Sequence, residues 1–483
     1  MVAFEKNPEN LIEQLKREEI RWIDLQFADL MGLFQHVTVP ARTIERRHFA
    51  EGIPKLDGSS VRGFTDIHES DMLLMPDPNT LRTLPWYSQP HKTARLICSV
   101  WEGTTHERFS RDPRFCAERA VESAKAAGFD SSYWGPELEF FVFDRIKIDP
   151  SPLGASQPGA GSGYNIQSDE APWNANAFNL LPFSMKGGYY AAPPRDALAD
   201  FRNEACRVLE DSFGIPVEAH HHEVATAGQC EINITYAPLI QMADNIMTMK
   251  MVIKRTALLY NRIATFMPKP LFGDNGSGMH VHQSLWKDGR NAFYDPNERY
   301  AEISQACRYY IGGLMAHSEA LTAIANPTTN SYRRLVPGYE APVFIAWARG
   351  NRSANCRVPV YEKASEKAKR VEFRTPDTSC NIYLALAAMQ AAGLDGIKRK
   401  IDPGNPVDED IYKLTPHRRK ELGIRELPGS LGESLDHLES DQDFLKEVMS
   451  KDLLEHYIEI KRQEALDVAL RPTPLEFSMY LDV

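Results

Sequence analysis

No two cysteines of this chain stand at the spacing of a zinc knuckle or a dithiol redox motif; Cys98, Cys116, Cys206, Cys230, Cys307, Cys356 and Cys380 are scattered. Their odd number in a long chain predicts free thiols in a reducing compartment. No run of about 18 consecutive apolar residues occurs, and the first twenty residues are charged throughout, so neither a membrane span nor a secretory leader is expected. The expected location is cytoplasmic. Basic residues are outnumbered, 55 Lys and Arg against 66 Asp and Glu, and the net charge of -11 argues against a nucleic-acid or membrane partner. Phosphate-binding loops are missing as well. There is no GxxxxGK[ST] segment, and Gly273-Asp274-Asn275-Gly276-Ser277-Gly278 does not match GxGxxG. A nucleotide, if bound, is then held through metals and arginines. Neither an internal repeat nor a heptad run is present.

What is present is a chain of 483 residues, 43% hydrophobic, long enough for two to three domains with sizeable cores. Leu11, Ile12, Leu15 and Ile20 predict a short amphipathic helix. Trp22 to Phe27, His36 to Val39 and Thr93 to Trp101 read as strands, and the small α+β unit they form ends near Arg111-Asp112-Pro113. From there helices and strands alternate, with helices expected over Phe115–Gly128, Ala197–Phe213 and Ala243–Phe266. The segment from Asp149 to Asn179, rich in Pro, Gly, Ser and Asn, reads as a long surface loop. Helices packed on one side of a largely antiparallel sheet is the expected architecture.

Four segments place acids or histidines at alternate positions, which share one face of a strand. They are Gly135-Pro136-Glu137-Leu138-Glu139-Phe140, Gln229-Cys230-Glu231-Ile232-Asn233, His280-Val281-His282-Gln283-Ser284, and Glu372-Phe373-Arg374. A single acidic strand is ordinarily a solvent face. Four of them, with Phe141 and Phe143 on the same face as the acids, point instead to a cluster that would be costly unless cations neutralise it. Glu137, Glu139, Glu223, Glu231, Glu372 and His280 form an oxygen-dominated donor set suited to Mg²⁺ or Mn²⁺, and six ligands fit at least two ions better than one. His220-His221-His222 lacks the HExxH spacing, and of the three one is expected to pack, one to hydrogen-bond and none to bind metal. His282 is open between a supporting partner and a nucleotide contact. Between Asn326 and Pro359, Arg334, Arg349, Arg352 and Arg357 form a candidate clamp for anions beside a loop with Pro-Gly turn signals.

In these motifs the chain resembles the type I glutamine synthetases. The resemblance runs through Leu56–Ser60, Glu69–Met72, Gly135–Phe141, His220–Glu231, Asn275–His282, Asn326–Arg357 and Arg370–Pro376. It implies an α+β protein with a β-grasp-like N-terminal domain over 1–111 and a catalytic domain over 112–483. It also implies ligation of ammonium to glutamate with ATP, through a γ-glutamyl phosphate and with two or three Mg²⁺ or Mn²⁺ ions. By motif, Glu139, Glu223 and Glu231 would hold the metal nearer glutamate, and Glu137, His280 and Glu372 the one at the ATP phosphates. Asn275, Gly276, Arg334, Arg352, Arg374 and Glu340 would bind glutamate; Glu218, His282, Ser284, Arg352, Arg357 and Lys367 would bind ATP. Asp57 would take a proton from ammonium, and Glu340 would close the site as a flap acid. A dodecamer of two hexameric rings, with sites shared between subunits, is implied too. The alternatives are a γ-glutamyl ligase for a polyamine or methylamine, or a non-catalytic member of the fold. Around Tyr412, Lys413 and His417-Arg418-Arg419 replace the acidic context of adenylylated relatives, so that modification is not expected.

Overall fold

The computed structural model describes residues 7–148, 163–174, 181–360 and 365–483. Helix α1 (Pro8–Arg17) opens on Asn7, whose side chain accepts from the Glu9 amide, and it buries Leu11 and Leu15. Those leucines cover a six-stranded sheet made of β1 (Trp22–Ala28), β2 (Phe34–Pro40), β3 (Ile53–Asp57), β4 (Asp71–Pro76), β5 (Arg82–Thr83) and β6 (Thr93–Glu102). The strand order is β2-β1-β6-β4-β3, with β5 beside β6 and only β1–β6 parallel.

Helix α2 (Pro113–Ala126) begins two residues before its expected start, because Asp112 accepts from the Arg114 amide and Pro113 occupies the first turn. Asp112 also accepts from the Val100 amide at 2.9 Å, and burial pushes its carboxyl up to about 6. Arg114 then ties the two units together, bonding Asp77 at 2.7 Å and Asp244 at 3.0 Å, while Tyr383 donates to Asp244 at 2.6 Å.

The second sheet carries β7 (Ser131–Phe143), β8 (Val217–His222), β9 (Gln229–Ile234), β10 (Met279–Lys287), β11 (Trp347–Arg349), β12 (Cys356–Val358) and β13 (Val371–Phe373). Their order is β8-β9-β7-β10-β13-β12-β11, antiparallel except for β11–β12. Along β7 the residues Trp134, Leu138, Phe140 and Val142 enter one large core with helices α2, α3 (Ala199–Phe213), α4 (Leu239–Leu259), α5 (Gln305–Ala316), α6 (Ser318–Ala325) and α7 (Ile382–Arg399). The helices thus cover one face, and the opposite face of β7 carries Glu137, Glu139, Phe141 and Phe143. Phe141 and Phe143 stack at 5.5 Å and seal that face in a smaller cluster with Ile166, Ala225 and Leu271. Helices α5 and α7 approach closely at glycines: a Cβ on Gly313 would lie 2.0 Å from the Ala392 carbonyl oxygen.

Two further expected elements differ. Helix α4 starts at Leu239 and ends at Leu259, and Ile263–Thr265 forms a short strand on β7 instead of continuing the helix. Within the expected long loop, Tyr164–Gln167 pairs with Arg145–Ile148 as an antiparallel hairpin, and Pro172–Asn174 is a 3₁₀ turn. Residues 149–162 and 175–179 of that loop lie outside the described residues. Among the described residues no helix is long and apolar enough to cross a membrane.

Candidate active site

Cross-strand register assembles the acids. Glu231 on β9 lies opposite Glu139, Asn233 and His280 lie on either side of Glu137, and Glu372 on β13 pairs with His282 of β10 and with Arg357 of β12. Period-two alternation then turns these side chains toward the face the helices leave free.

One group centres on Glu137. His280 Nδ1 is 3.1 Å from Glu137 Oε2 and 3.9 Å from Glu372 Oε1, and His282 Nε2 is 2.9 Å from Glu137 Oε1. One ligand atom from each of Glu137, His282 and Glu372 lies within 4.8 Å of the others. Burial works against the Glu137 carboxylate, yet the hydrogen bonds from His280 and His282 hold its pKa far below the usual range. Glu372 is gripped by Arg357 and, at 2.6 Å, by Arg374. Against its burial, His282, Arg374 and His280 bring it down to about 2. Burial and the nearby Arg374 charge keep His280 below its ordinary value, which favours a neutral ring with a free lone pair.

The other group sits beside it. His221 lies 3.6 Å from both Glu223 and Glu231, and one ligand atom from each of the three lies within 4.8 Å of the others. Glu139 adjoins them on β7, accepting from the Gly278 amide at 2.9 Å and from Gln229 Nε2 at 3.2 Å. Burial, and then mutual repulsion among Glu139, Glu223 and Glu231, drive the first two carboxyls well above the ordinary range. Three buried carboxylates set side by side, next to an imidazole and without thiolates, are the donor chemistry of a hard divalent cation.

His221 departs from the expectation for the histidine run. Of its neighbours, His222 is buried against Glu170 at 3.0 Å, and His220 accepts from Arg202 at 3.2 Å. Gln229 was also missed. It is 1% exposed and donates to Glu139, to the Gly276 carbonyl at 2.9 Å and to Ser277, while accepting from the Ala225 amide. The signal available was parity: Gln229 shares its face with Glu231, and His221 with Glu223.

The expected substrate residues differ in their surroundings. Asn275 Oδ1 and Arg374 Nε are buried polar atoms without a protein partner, which suits them to a polar ligand. Arg334 is 4% exposed, donates to the carbonyls of Arg374, Thr375 and Pro376, and packs against Gly276 and Gly278. Ser284 accepts from Trp286, and Arg352 is exposed and hydrogen-bonds Tyr189. Glu218 stands exposed at a bulge of β8, and Lys367 is exposed in a turn. Glu340 is exposed, with φ of 61°, on the segment that follows Arg334. Asp57 stays apart. Its carboxylate caps a turn of the N-terminal unit, accepting from Ser59 and Ser60, and among the described residues no hydrogen bond or ion pair links it to the second sheet.

The family description "Glutamine synthetase, catalytic domain" matches residues 110–480, and "Glutamine synthetase, beta-Grasp domain" matches residues 19–103. The chain belongs to the glutamine synthetase family. Its N-terminal unit is the family's β-grasp domain, and its reaction is the ATP-dependent amidation of glutamate to glutamine with use of a divalent metal. The chain is 52% identical to the glutamine synthetase of Sulfolobus acidocaldarius over 483 residues, covering 100% of both chains. It is 48% identical to that of Frankia alni, covering 98% of this chain and 99% of the relative. Among solved structures, Plasmodium falciparum glutamine synthetase aligns with a TM-score of 0.87 at 27% identity, covering 99% of each chain. A GmaS/ADP complex aligns with a TM-score of 0.80 at 29% identity, covering 98% of this chain and 99% of that one.

Proposed function

We propose that this family's reaction runs here on the acidic face of the second sheet, through a γ-glutamyl phosphate and with two to three Mg²⁺ or Mn²⁺ ions. The observation that carries this reading is the pair of acid–histidine groups set side by side on β7, two residues apart at Glu137 and Glu139. Glu139, Glu223 and Glu231, joined by His221, would hold the cation nearer glutamate. Glu137, His280 and Glu372 would hold the one at the ATP phosphates. Cations so placed would neutralise negative charge on the transferring phosphoryl group.

The chain's own groups do the rest. Arg374 and Asn275, each with a buried unpartnered atom, bind the charged ends of glutamate, with Gly276 and Arg352 beside them. Arg334, packed against Gly276 and Gly278, joins them. Glu218, His282, Ser284, Arg352, Arg357 and Lys367 receive ATP, a role supported by a solved relative of this fold carrying ADP. Asp57 removes a proton from ammonium, and Glu340 covers the acyl phosphate, excludes water and accepts the last proton. Asp57, which among the described residues makes no hydrogen bond or ion pair to the second sheet, would serve a neighbouring subunit, in a dodecamer of two hexameric rings in the cytoplasm. The division of the chain at 111/112 belongs to the same reading.

Mn²⁺ titration tests the two positions: Glu137→Ala and Glu139→Ala should each remove a different class of site. Loss of the same class in both variants would refute the assignment. With glutamate and ATP held constant, a preference for methylamine or putrescine over ammonium would overturn the choice of amine.

A further inference from the structure

The segment from Val336 to Ala341 is not held by a strand or helix of its own. It is pinned by side chains that reach it from elsewhere. Gly338 and Glu340 both take left-handed backbone, with φ of 94° and 61°, and Tyr339 lies half-buried between them in sequence. Two ammonium groups converge on its ring: Lys269 Nζ is 3.7 Å and Lys186 Nζ 4.3 Å from the centroid. Lys186 also donates to the Gly338 carbonyl at 3.1 Å. Beyond Glu340, the Tyr412 hydroxyl donates to the Ala341 carbonyl at 2.8 Å.

Both lysines are fixed at the substrate side. Lys269 is 9% exposed, donates through Nζ to the Asp274 carbonyl, and exchanges main-chain bonds with the Asn330 side chain at 2.7 and 3.0 Å. Asp274 directly precedes Asn275 and Gly276 and accepts from the Asn275 and Thr226 amides. The Lys186 amide donates to Thr226 Oγ1 at 3.0 Å. Lys269 and Lys186 therefore connect the turn that carries Asn275 to the aromatic ring beside Glu340. Burial lowers Lys269 to about 8, against the opposing pull of the nearby Asp274 charge.

We propose that Tyr339 is a positioning residue that holds the flap down by cation–π contacts to Lys186 and Lys269, so that Glu340 closes only over a formed Asn275–Gly276 turn. This rests on the reading of Glu340 as the flap acid. Tyr339→Leu removes the ring, Tyr339→Phe keeps it, and the pair Lys186→Met with Lys269→Met removes the cations. Cation–π contacts of this kind shift a two-state equilibrium by about tenfold, so the open flap should become correspondingly more populated.

The readout is glutamine formed per ATP hydrolysed, measured on the full-length enzyme together with ATP binding. Tyr339→Leu and the double lysine variant should both bind ATP and both lose coupling, with about tenfold more ATP hydrolysed without amide formation. Tyr339→Phe should restore the ratio. If Tyr339→Leu keeps the wild-type ratio, or Tyr339→Phe fails as badly as leucine, the clamp is wrong. Should Tyr339→Leu not fold, the double lysine variant decides alone, and unchanged coupling overturns the proposal. Glu340→Gln separates the two ideas. If it leaves coupling intact the flap-acid reading falls, whereas if it uncouples and the clamp variants do not, only the clamp falls.

Discussion

Gln229 is the side chain whose loss should reveal how the second carboxylate group is kept in order. Its amide reaches four partners from one buried position: the Glu139 carboxylate, the Gly276 carbonyl, Ser277 and the Ala225 amide. In Gln229→Ala the Gly276 carbonyl and the Ala225 amide lose this partner in a nearly waterless place. At about 1–3 kcal/mol for each stranded group, the expected loss of folding stability is about 2–6 kcal/mol, at the low end if water enters. Glu139 also loses the donor that orients one of its oxygens. Removing a supporting partner of this kind lowers metal affinity by about 10–100-fold. Thermal denaturation reads the first quantity and Mn²⁺ calorimetry the second. In a Glu139→Ala background the same change should no longer affect cation affinity, because the group it orients is gone. Unchanged Mn²⁺ affinity in Gln229→Ala, or additive losses in the double variant, would refute the argument.

Gly313→Ala should destabilise the protein by about 1–3 kcal/mol or more, because the added methyl meets the Ala392 carbonyl and the Gly396 main chain instead of a movable side chain; an unshifted Tm would show that the helices can part. His317, buried with Nδ1 2.6 Å from Asp441 and Nε2 2.9 Å from Asp395, has its pKa raised above the ordinary 6.5 by those carboxylates despite its burial. A raised histidine stabilises fully below the unfolded-state value and ceases to do so as pH climbs through the folded-state value. The Tm gap between wild type and His317→Gln should therefore be widest in mild acid and close in alkali, and a gap that widens with pH would contradict this. Mixing Asp57→Ala with Glu139→Ala subunits should regain activity in mixed assemblies, whereas none regained would count against a site shared between chains.

The acids were legible because a strand repeats every two residues. With Leu138 and Phe140 committed to the core, Glu137 and Glu139 had to share the other face, and the same reasoning carried His280 with His282 and Glu231 with Asn233. What parity cannot supply is register. The two groups divide as they do because Glu231 stands opposite Glu139 and Arg357 opposite Glu372, facts of strand pairing across many residues. His221 and Gln229 have the right parity, but only that register sets them among the acids. Arg334 shows another limit of the sequence. An arginine in a polar loop reads as a surface clamp, but tertiary contacts bury it against three carbonyls some forty residues away. The Tyr164–Gln167 strand is short and mostly exposed, so hydropathy leaves little trace of it.

The spacing of Glu137 and Glu139 carries a consequence for how such an enzyme can diversify. Two residues along a pleated strand span about 6.6 Å, and neighbouring ladders on both sides prevent that length from stretching or slipping. The sheet is thus a ruler engraved with two marks, and a single-residue insertion in β7 would turn every later acid into the helical core. Evolution can hardly edit that distance. It can edit the segments outside the strands: the Asp274–Gly278 turn and the stretch carrying Tyr339 and Glu340. Changes of amine, or of control, should accumulate in those loops while the marks beneath stay put.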